Sequence, residues 1–88
     1  MATYQISYKP SVEKELRSLD RQQLQAVVKR IQALADNPRP YGSIRLQGIE
    51  RLYRVRQGDY RIIYRIDDDA LVVLIIKLGH RREIYERG

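Results

Sequence analysis

The stretch that decides the fold of this chain is Tyr53-Arg54-Val55-Arg56-Gln57-Gly58-Asp59-Tyr60-Arg61-Ile62-Ile63-Tyr64. Apolar and polar residues alternate on both sides of Gln57-Gly58, which is the pattern of a β-hairpin with those two residues in the turn. That register places Arg54 directly opposite Arg61. Like charges that face each other destabilise a strand pair, so folding does not explain this arrangement. We therefore expect the hairpin to bind a dense polyanion, such as a phosphate backbone.

Two helices are predicted after a short first strand at Tyr4–Tyr8. The first helix has three apolar residues at helical spacing, Val12, Leu16 and Leu19. The second begins after Asp20, an N-cap with Gln23 three residues later, as in a capping box. Its apolar stripe has the period of a helix, and the helix ends before Pro38 because a residue that precedes proline avoids the α region. The two helices form a hairpin with one apolar face.

Residues 38–50 are predicted to form a loop, because they contain two prolines and two glycines. Three strands follow, with Asp67–Asp69 as the turn between the last two, and they are expected at Leu52–Arg56, Tyr60–Ile66 and Leu71–Leu78. Leu71–Leu78 is apolar on both faces, which is typical of a central strand covered on both sides. The order β-α-α-β-β-β predicts an α+β fold in which a two-helix hairpin packs on a small, mostly antiparallel sheet.

The composition indicates a small basic domain. The 88 residues are enough for one domain, 1–88, and 17 basic residues against 11 acidic ones give a net charge of +6. Thirteen of the basic residues are Arg, whose planar, forked guanidinium recognises phosphate. Together with a pI near 9.9, this charge is typical of a nucleic-acid-binding protein.

The same composition argues against several other classes of protein. Without cysteine the chain has neither a disulfide nor a thiolate metal site. Asp67–Asp69 lacks the spacing of a metal-ligand set, and we expect no metal and no cofactor. No secretory signal pattern is present, and the longest apolar run, Ala70–Ile76, is far shorter than the roughly 20 residues of a membrane span. We therefore expect a cytoplasmic protein that does not bind a membrane.

Three groups of residues are expected to converge on one surface. Arg54 and Arg56 share a face of their strand by alternation, and Arg61 joins them by strand pairing. A second group follows the apolar strand directly, where a buried strand brings its end to the surface, in Gly79-His80-Arg81-Arg82-Glu83-Ile84-Tyr85. The long loop contributes Arg45 at the rim of this surface.

These motifs resemble the RelE family of toxins, in the RelE/ParE superfamily of toxin–antitoxin modules. The resemblance rests on the pattern Tyr-Arg-x-Arg-x-Gly-Asp-Tyr-Arg-x-x-Tyr from Tyr53 to Tyr64 and on Gly-His-Arg-Arg-Glu-x-Tyr from Gly79 to Tyr85. It implies a type II toxin that enters the ribosomal A site, cuts the mRNA there by attack of a ribose 2′-OH on the adjacent phosphate, and inhibits translation. It also implies a cognate RelB-like antitoxin that holds the toxin inactive in a heterotetramer or a larger complex.

The resemblance assigns roles to individual residues. Arg54 and Arg56 stand where the family places basic residues beside the reacting ribose, and Arg61 where charge is stabilised in the transition state. Arg81 matches the proposed leaving-group acid, and Tyr85 the aromatic residue that stacks on the base. At the rim, RNA or ribosome contacts are expected from Arg45, Arg65 and Arg82.

This chain departs from the family pattern in one respect that affects the chemistry. The pattern has Lys where this chain has Arg54 and Arg56, and an arginine is effectively always charged, which makes it a poor general base. His80 is the one histidine, and imidazole ordinarily gains and loses a proton near neutral pH. We therefore include His80 among the candidate catalytic residues.

Two other functions remain open on the sequence alone. A ParE-like toxin shares the fold and poisons DNA gyrase without cutting RNA. A non-toxic basic module would only dock RNA or an acidic partner. The codon preference, the general base and the antitoxin's mode of inhibition are not determined by the sequence.

Overall fold

The fold is a five-stranded mixed sheet with two helices on one face. This computed structural model describes residues 3–48 and 51–80. Along the sheet the strand order is β1-β5-β4-β3-β2, with β1 parallel to β5 and every other pair antiparallel. The predicted α+β fold is confirmed, and its elements are β1 (Gln5–Tyr8), α1 (Pro10–Arg17), α2 (Arg21–Ala33), β2 (Ile44–Arg45), β3 (Leu52–Gln57), β4 (Tyr60–Asp67) and β5 (Val72–His80).

The helical hairpin forms as the sequence predicts. Asp20 caps α2, since its Oδ1 accepts a hydrogen bond from the Gln23 amide at 2.9 Å. Pro10 lies in the first turn of α1, where its missing N–H costs nothing. Within the described ranges, neither helix is long and apolar enough to cross a membrane.

The core lies between the helices and one face of the sheet. Helix residues Val12, Val27 and Ile31 are at most 1% exposed. They pack with sheet residues, of which alternation predicts Ile62, Tyr64 and Ile66. The others are Val55, Val73, Ile75 and Leu78. Because the described helices cover one face alone, the prediction that β5 is covered on both sides is wrong for this part of the chain. Val72 and Leu74, on the other face, remain partly exposed.

Strand β5 contains a β-bulge. Ile63 of β4 pairs with Lys77, but the next residue, Tyr64, pairs with Ile75, so Ile76 is the extra residue. The bulge shifts the alternation, and the core positions therefore run Val73, Ile75 and then Leu78. This change of phase explains why Leu78 is in the core, whereas Val72 and Leu74 lie before the bulge as apolar residues of the other face.

The loop predicted at residues 38–50 contains a strand that the sequence reading missed. In β2, Ile44 pairs with Arg54 and Arg45 pairs with Tyr53. Two residues are too few for period-two alternation to be recognised, and the two flanking glycines indicate a loop. This short strand completes the edge of the sheet beside β3.

The turn of the β3–β4 hairpin lies one residue later than predicted. Gln57 is the last residue of β3 and pairs with Tyr60, so the turn consists of Gly58 and Asp59. Gly58 has φ of +59°, whereas Asp59 is not among the positive-φ residues, which matches a type II′ turn with glycine at its first central position. The predicted turn would have required Gln57 to adopt a positive φ, which is unfavourable for a residue with a Cβ.

A hydrogen-bonded group joins the loop after α2 to the β4–β5 turn. The Arg39 guanidinium donates from Nη1 and Nη2 to the two carboxylate oxygens of Asp68, at 3.2 and 2.8 Å. Its Nε donates to the Tyr53 hydroxyl at 3.2 Å, and the guanidinium lies 5.3 Å from the centre of the Tyr53 ring. The Tyr4 hydroxyl donates to the same Asp68 at 2.6 Å. Four segments distant in sequence are thereby held together at this end of the sheet.

Tyr64 anchors the same loop from within the core. Its side chain is fully buried, and its hydroxyl donates to the Pro38 carbonyl at 2.7 Å. Burial raises the pKa of Tyr64 to about 12, so the hydroxyl stays protonated and remains a donor at neutral pH. The ring also stacks on Tyr53, with 5.9 Å between the ring centres.

Tyr64→Phe is expected to destabilise the fold by about 1–2 kcal/mol, because it leaves the buried Pro38 carbonyl without its donor. The measurement is the free energy of unfolding in urea. Tyr60→Phe is the control, since it removes an exposed hydroxyl that donates to Gln23 at 3.1 Å and is expected to cost roughly 0.5 kcal/mol or less. Equal effects of the two substitutions would contradict the anchoring role of Tyr64.

The ion pair of Asp68 predicts a pH dependence of stability. Hydrogen bonds from Arg39 and then Tyr4 hold the pKa of Asp68 at about 2, below its ordinary value of 3.8. Because the folded-state pKa is the lower one, the ionised carboxylate stabilises the fold above the ordinary value, and this contribution is lost as the pH falls toward about 2. Asp68→Asn is therefore expected to flatten the acid limb of a pH titration of unfolding. Asp69→Asn, in the same turn, is the control, and equal flattening by both would contradict the assignment.

Candidate nucleic-acid interface

The sheet face opposite the helices carries most of the candidate residues. Register and alternation place four arginines on this side, which we call the arginine face: Arg54, Arg56, Arg61 and Arg65. Between and beside them lie apolar side chains, with Ile63 next to Arg54 and with Leu52 and Leu74 next to Arg65. In the described ranges no helix packs on this face, and Arg56 and Arg65 are exposed there.

Arg56 and Arg61 form the cross-strand pair of like charge. They are direct partners in the β3–β4 register, next to the turn, so their Cβ atoms lie within about 4.5–5.5 Å. Arg56 is exposed and Arg61 is half-buried. With Gly58 and Asp59 they line a small depression at the end of the hairpin. Apart from Gly58 and its chain neighbours, no described residue has an atom within 4 Å of the position that a Cβ on Gly58 would occupy, so the glycine side of the depression is unobstructed.

Arg54 occupies a different position from the one predicted. Its partner across the strands is Ile63, not Arg61, because the turn begins at Gly58. The side chain is 3% exposed and is flanked by Ile44 on the other neighbouring strand. Arg54 and Arg61 both have interactions within the protein. Arg54 is therefore a buried positive charge, and the exposed arginine opposite Arg61 is Arg56.

Lys77 is a basic residue of this surface that the sequence reading missed. The β-bulge at Ile76 gives it Ile63 as a partner and so places it on the arginine face, in the same cross-strand row as Arg54. Its side chain is exposed. In the sequence, Lys77 is the single lysine that interrupts the apolar run of β5. The face of the sheet on which this lysine lies can be assigned only after the bulge has been located.

His80 lies at the same end of the sheet but on its other side. It pairs with Tyr60, and their rings meet edge to face with 5.6 Å between centres. Its Nε2 is 3.9 Å from Oδ2 of Asp59, the carboxylate that also lines the depression beside Arg56. The register therefore does not gather His80 with the arginines, and it approaches them only through the hairpin turn.

The remaining candidates are distributed unevenly. Arg65 is exposed on the arginine face, away from the turn. Arg45 pairs with Tyr53, which places it on the helix side of the sheet at the β2 edge. Three candidates lie outside the described residues, namely Arg81, Arg82 and Tyr85. Among the described residues no group of three or more His, Asp or Glu side chains is arranged to hold a metal ion.

This arrangement is suited to holding a phosphate and stabilising negative charge on it. Guanidinium groups form short, charge-assisted hydrogen bonds to phosphate oxygens, and two of them on adjacent strands contact different oxygens of one phosphate. Donors already fixed by a sheet need no reorganisation as charge develops during a reaction. They do not accept protons, so removal of a proton from the substrate requires another group.

The chain is similar to known toxins of toxin–antitoxin systems. The family model described as "ParE toxin of type II toxin-antitoxin system, parDE" matches residues 6–85. The chain is 31% identical over 85 residues to the toxin RelG of Mycobacterium tuberculosis, with 96% of this chain and 98% of RelG covered. It is 29% identical over 80 residues to a putative RelE-like toxin of Escherichia coli, with 89% and 83% covered.

Solved structures show the same fold. The archaeal RelE–RelB complex from Pyrococcus horikoshii OT3 has a chain that is 32% identical, with a TM-score of 0.82, and the match covers 93% of this chain and 99% of that one. The toxin–antitoxin complex RelBE2 from Mycobacterium tuberculosis has a chain 28% identical, with a TM-score of 0.79 and 90% and 99% covered. The chain therefore belongs to the ParE toxin family of type II toxin–antitoxin systems, in the RelE/ParE superfamily that its motifs indicate.

Proposed function

We propose that this toxin is a ribosome-dependent endoribonuclease that cuts mRNA in the ribosomal A site and so inhibits translation. The observation that carries the proposal is the Arg56–Arg61 pair, two like charges set opposite each other beside an open depression. Like charges on directly paired strand positions disfavour the pairing in themselves, and a phosphate bound between them is a favourable partner for both. The resemblance of the motifs to the RelE family implies RNA as the polyanion, and the chain is similar to the toxin RelG and to a putative RelE-like toxin.

The proposed reaction is an internal transesterification. The ribose 2′-oxygen attacks the adjacent phosphorus as the bond from phosphorus to the 5′-oxygen breaks, which leaves a 2′,3′-cyclic phosphate and a free 5′-hydroxyl. Arg61 stabilises the extra negative charge on the phosphorane, and Arg56 holds the phosphate in line for attack. Arg54 adds positive charge from the same strand. Arg81 protonates the leaving 5′-oxygen, and Tyr85 stacks on the base.

The proton from the 2′-hydroxyl needs an acceptor other than an arginine. We assign this role to His80, whose Nε2 lies 3.9 Å from the carboxylate of Asp59, a residue that lines the depression. The ribosome's own groups are the alternative acceptors. His80→Gln discriminates between the two, since unchanged single-turnover cleavage would exclude the imidazole.

The proposed partners are the ribosome with its mRNA, and a cognate RelB-like antitoxin. Arg45, Arg65 and Arg82 are assigned to RNA or ribosome contacts around the reacting site. The similar chains from Pyrococcus horikoshii and Mycobacterium tuberculosis are each in a complex with an antitoxin. A net charge of +6 and an open face of mixed apolar and basic residues favour an acidic, amphipathic antitoxin segment, in a heterotetramer or a larger complex.

A second candidate function is that of a DNA gyrase poison without ribonuclease activity. It is favoured by one observation, that the matching family model is described as a ParE toxin. The arginine face gives no positive support for gyrase as a target. Gyrase-dependent DNA breaks in cells that continue to translate would select this function over the ribonuclease.

The direct test of the ribonuclease is incubation with ribosomes programmed with a defined mRNA, followed by mapping of the RNA ends. New 5′-hydroxyl ends in the A-site codon, and none on the same mRNA without ribosomes, are the expected result. Intact A-site codons at micromolar toxin would overturn the proposal. A mapped cut outside the A site would also overturn it.

Arg61→Ala is expected to lower the single-turnover cleavage rate by roughly 100-fold or more, because it removes a fixed donor to the developing charge. Arg56→Ala is expected to weaken mRNA binding as well. Both variants should remain folded, since neither side chain belongs to the core. Arg17→Ala, which removes the same charge from the exposed end of α1, is the matched control. Equal activities of Arg61→Ala and Arg17→Ala would show that the site is wrongly placed.

A further inference from the structure

Tyr41 projects from the edge of the sheet into solvent. Its side chain is fully exposed, whereas the other tyrosines in the described ranges are buried or half-buried. It occupies the second position of a turn in which the Ser43 amide donates to the Pro40 carbonyl at 3.0 Å. Gly42 follows with φ of +92°, as the third position of a type II turn requires. The backbone thus directs a large aromatic side chain away from the protein.

The turn that carries Tyr41 is fixed on both sides. Before it, the Pro38 carbonyl accepts the hydrogen bond of the buried Tyr64 hydroxyl, and Arg39 is paired with Asp68 through two hydrogen bonds. After it, the chain enters β2, which pairs with β3. An aromatic ring held out on an ordered turn loses little conformational entropy when a ligand covers it. Tyr41 is therefore arranged for contact with a ligand.

Basic residues flank this turn in the chain, with Arg39 directly before it and Arg45 two residues after it. Arg51 lies near Asp68, the ion-pair partner of Arg39. Arg45 is exposed and pairs with Tyr53, whose hydroxyl accepts from Arg39 at 3.2 Å. Arg51 is close enough to Asp68 to help lower the pKa of that carboxyl. Asp68 is already ion-paired with Arg39, and the neighbouring Asp67 accepts from the backbone amides of its own turn.

We propose that Tyr41 stacks on an unpaired RNA base outside the reacting site, while Arg45 and Arg51 contact the flanking phosphates. Proteins hold single-stranded nucleic acid in this way, with aromatic rings on the base faces and a basic surface along the backbone. The choice of RNA rests on the proposed ribonuclease function. An acidic peptide would use the same arginines, but it would gain only apolar area from Tyr41.

The position of β2 connects this contact to the arginine face. Ile44 lies on that face beside Arg54, is 47% exposed, and directly follows the turn that carries Tyr41. Strands β2 and β4 are two strand spacings apart, which is about 10 Å. The proposed path of the RNA strand runs from the phosphate between Arg56 and Arg61 across β2 to Tyr41.

The test measures RNA binding separately from cleavage. A short, labelled single strand with 2′-O-methyl riboses is titrated with toxin and followed by fluorescence anisotropy, and it is not cut because its 2′-oxygens are blocked. Tyr41→Phe is expected to bind within about twofold of the wild type, whereas Tyr41→Leu is expected to bind roughly tenfold more weakly, in the range of base–aromatic stacking. Leu71→Ala is the control, because it removes an exposed apolar side chain directly before β5, three strand positions from β2, and is expected to have no effect.

Three results would overturn the inference. If Tyr41→Leu binds RNA with the affinity of the wild type, Tyr41 supplies only apolar area, as in a contact with a peptide. Equal weakening by Tyr41→Phe and Tyr41→Leu would assign the effect to the hydroxyl, and undetectable binding by the wild type would exclude the site. Binding that depends on the aromatic ring, combined with uncut mRNA on programmed ribosomes, would support this site and overturn the proposed reaction.

Discussion

The register between β3 and β4 is the constraint on which the rest of the structure depends. Gly58 adopts φ of +59° at the start of a two-residue turn. This turn places Gln57 opposite Tyr60, and the first pair determines all the other pairs of the two strands. Because side chains alternate along a strand, the same register directs Val55 and Ile62 into the core. It also forces Arg56 and Arg61 to meet on the other face. Burial of the apolar side chains keeps this like-charge pair in place.

The β-bulge in β5 determines which side chains of that strand lie on the arginine face. Without the extra residue Ile76, the alternation set by Val73 and Ile75 would direct Lys77 toward the helices. With it, Leu78 enters the core and Lys77 joins the arginine face. A local irregularity therefore reconciles a continuous core with a basic open face, which is a common use of bulges near functional sites.

Much of the fold was predictable because its signals are local. The N-cap at Asp20, the apolar stripe of α2 and the alternation in Tyr60–Ile66 each depend on a few neighbouring residues, and each is confirmed. The position of the turn was not predictable in the same way, because Gln57-Gly58 and Gly58-Asp59 both contain the glycine that marks a turn. The sign of φ at each of the two positions decides between them. Strand β2 was missed because its pairing with β3 is a contact across a loop.

For the candidate site, the face of the sheet was predictable from the sequence, but the burial and the partners of its residues were not. Alternation assigned Arg54, Arg56 and Arg61 to one side of the sheet, and moving the turn by one residue preserves that side while it changes the partners. Burial of Arg54 and the position of Lys77 follow from tertiary packing and the bulge, which no short pattern records. The side occupied by His80 likewise depends on the register of β5. In a regular strand, a residue at an odd separation from the core residue Ile75 would lie on the opposite face. The bulge between Ile75 and His80 reverses this, so His80 lies on the core side.

We propose that the fold holds Arg56 and Arg61 together so that both bind one phosphate. A double-mutant cycle with Arg56→Ala and Arg61→Ala, measured as free energies of urea unfolding at low salt, tests this role. We expect an unfavourable coupling of a few tenths of a kcal/mol that disappears when 2′-O-methyl RNA is bound, as expected for like charges on paired strands. A favourable coupling in the absence of RNA would contradict it, because the pair would then serve folding.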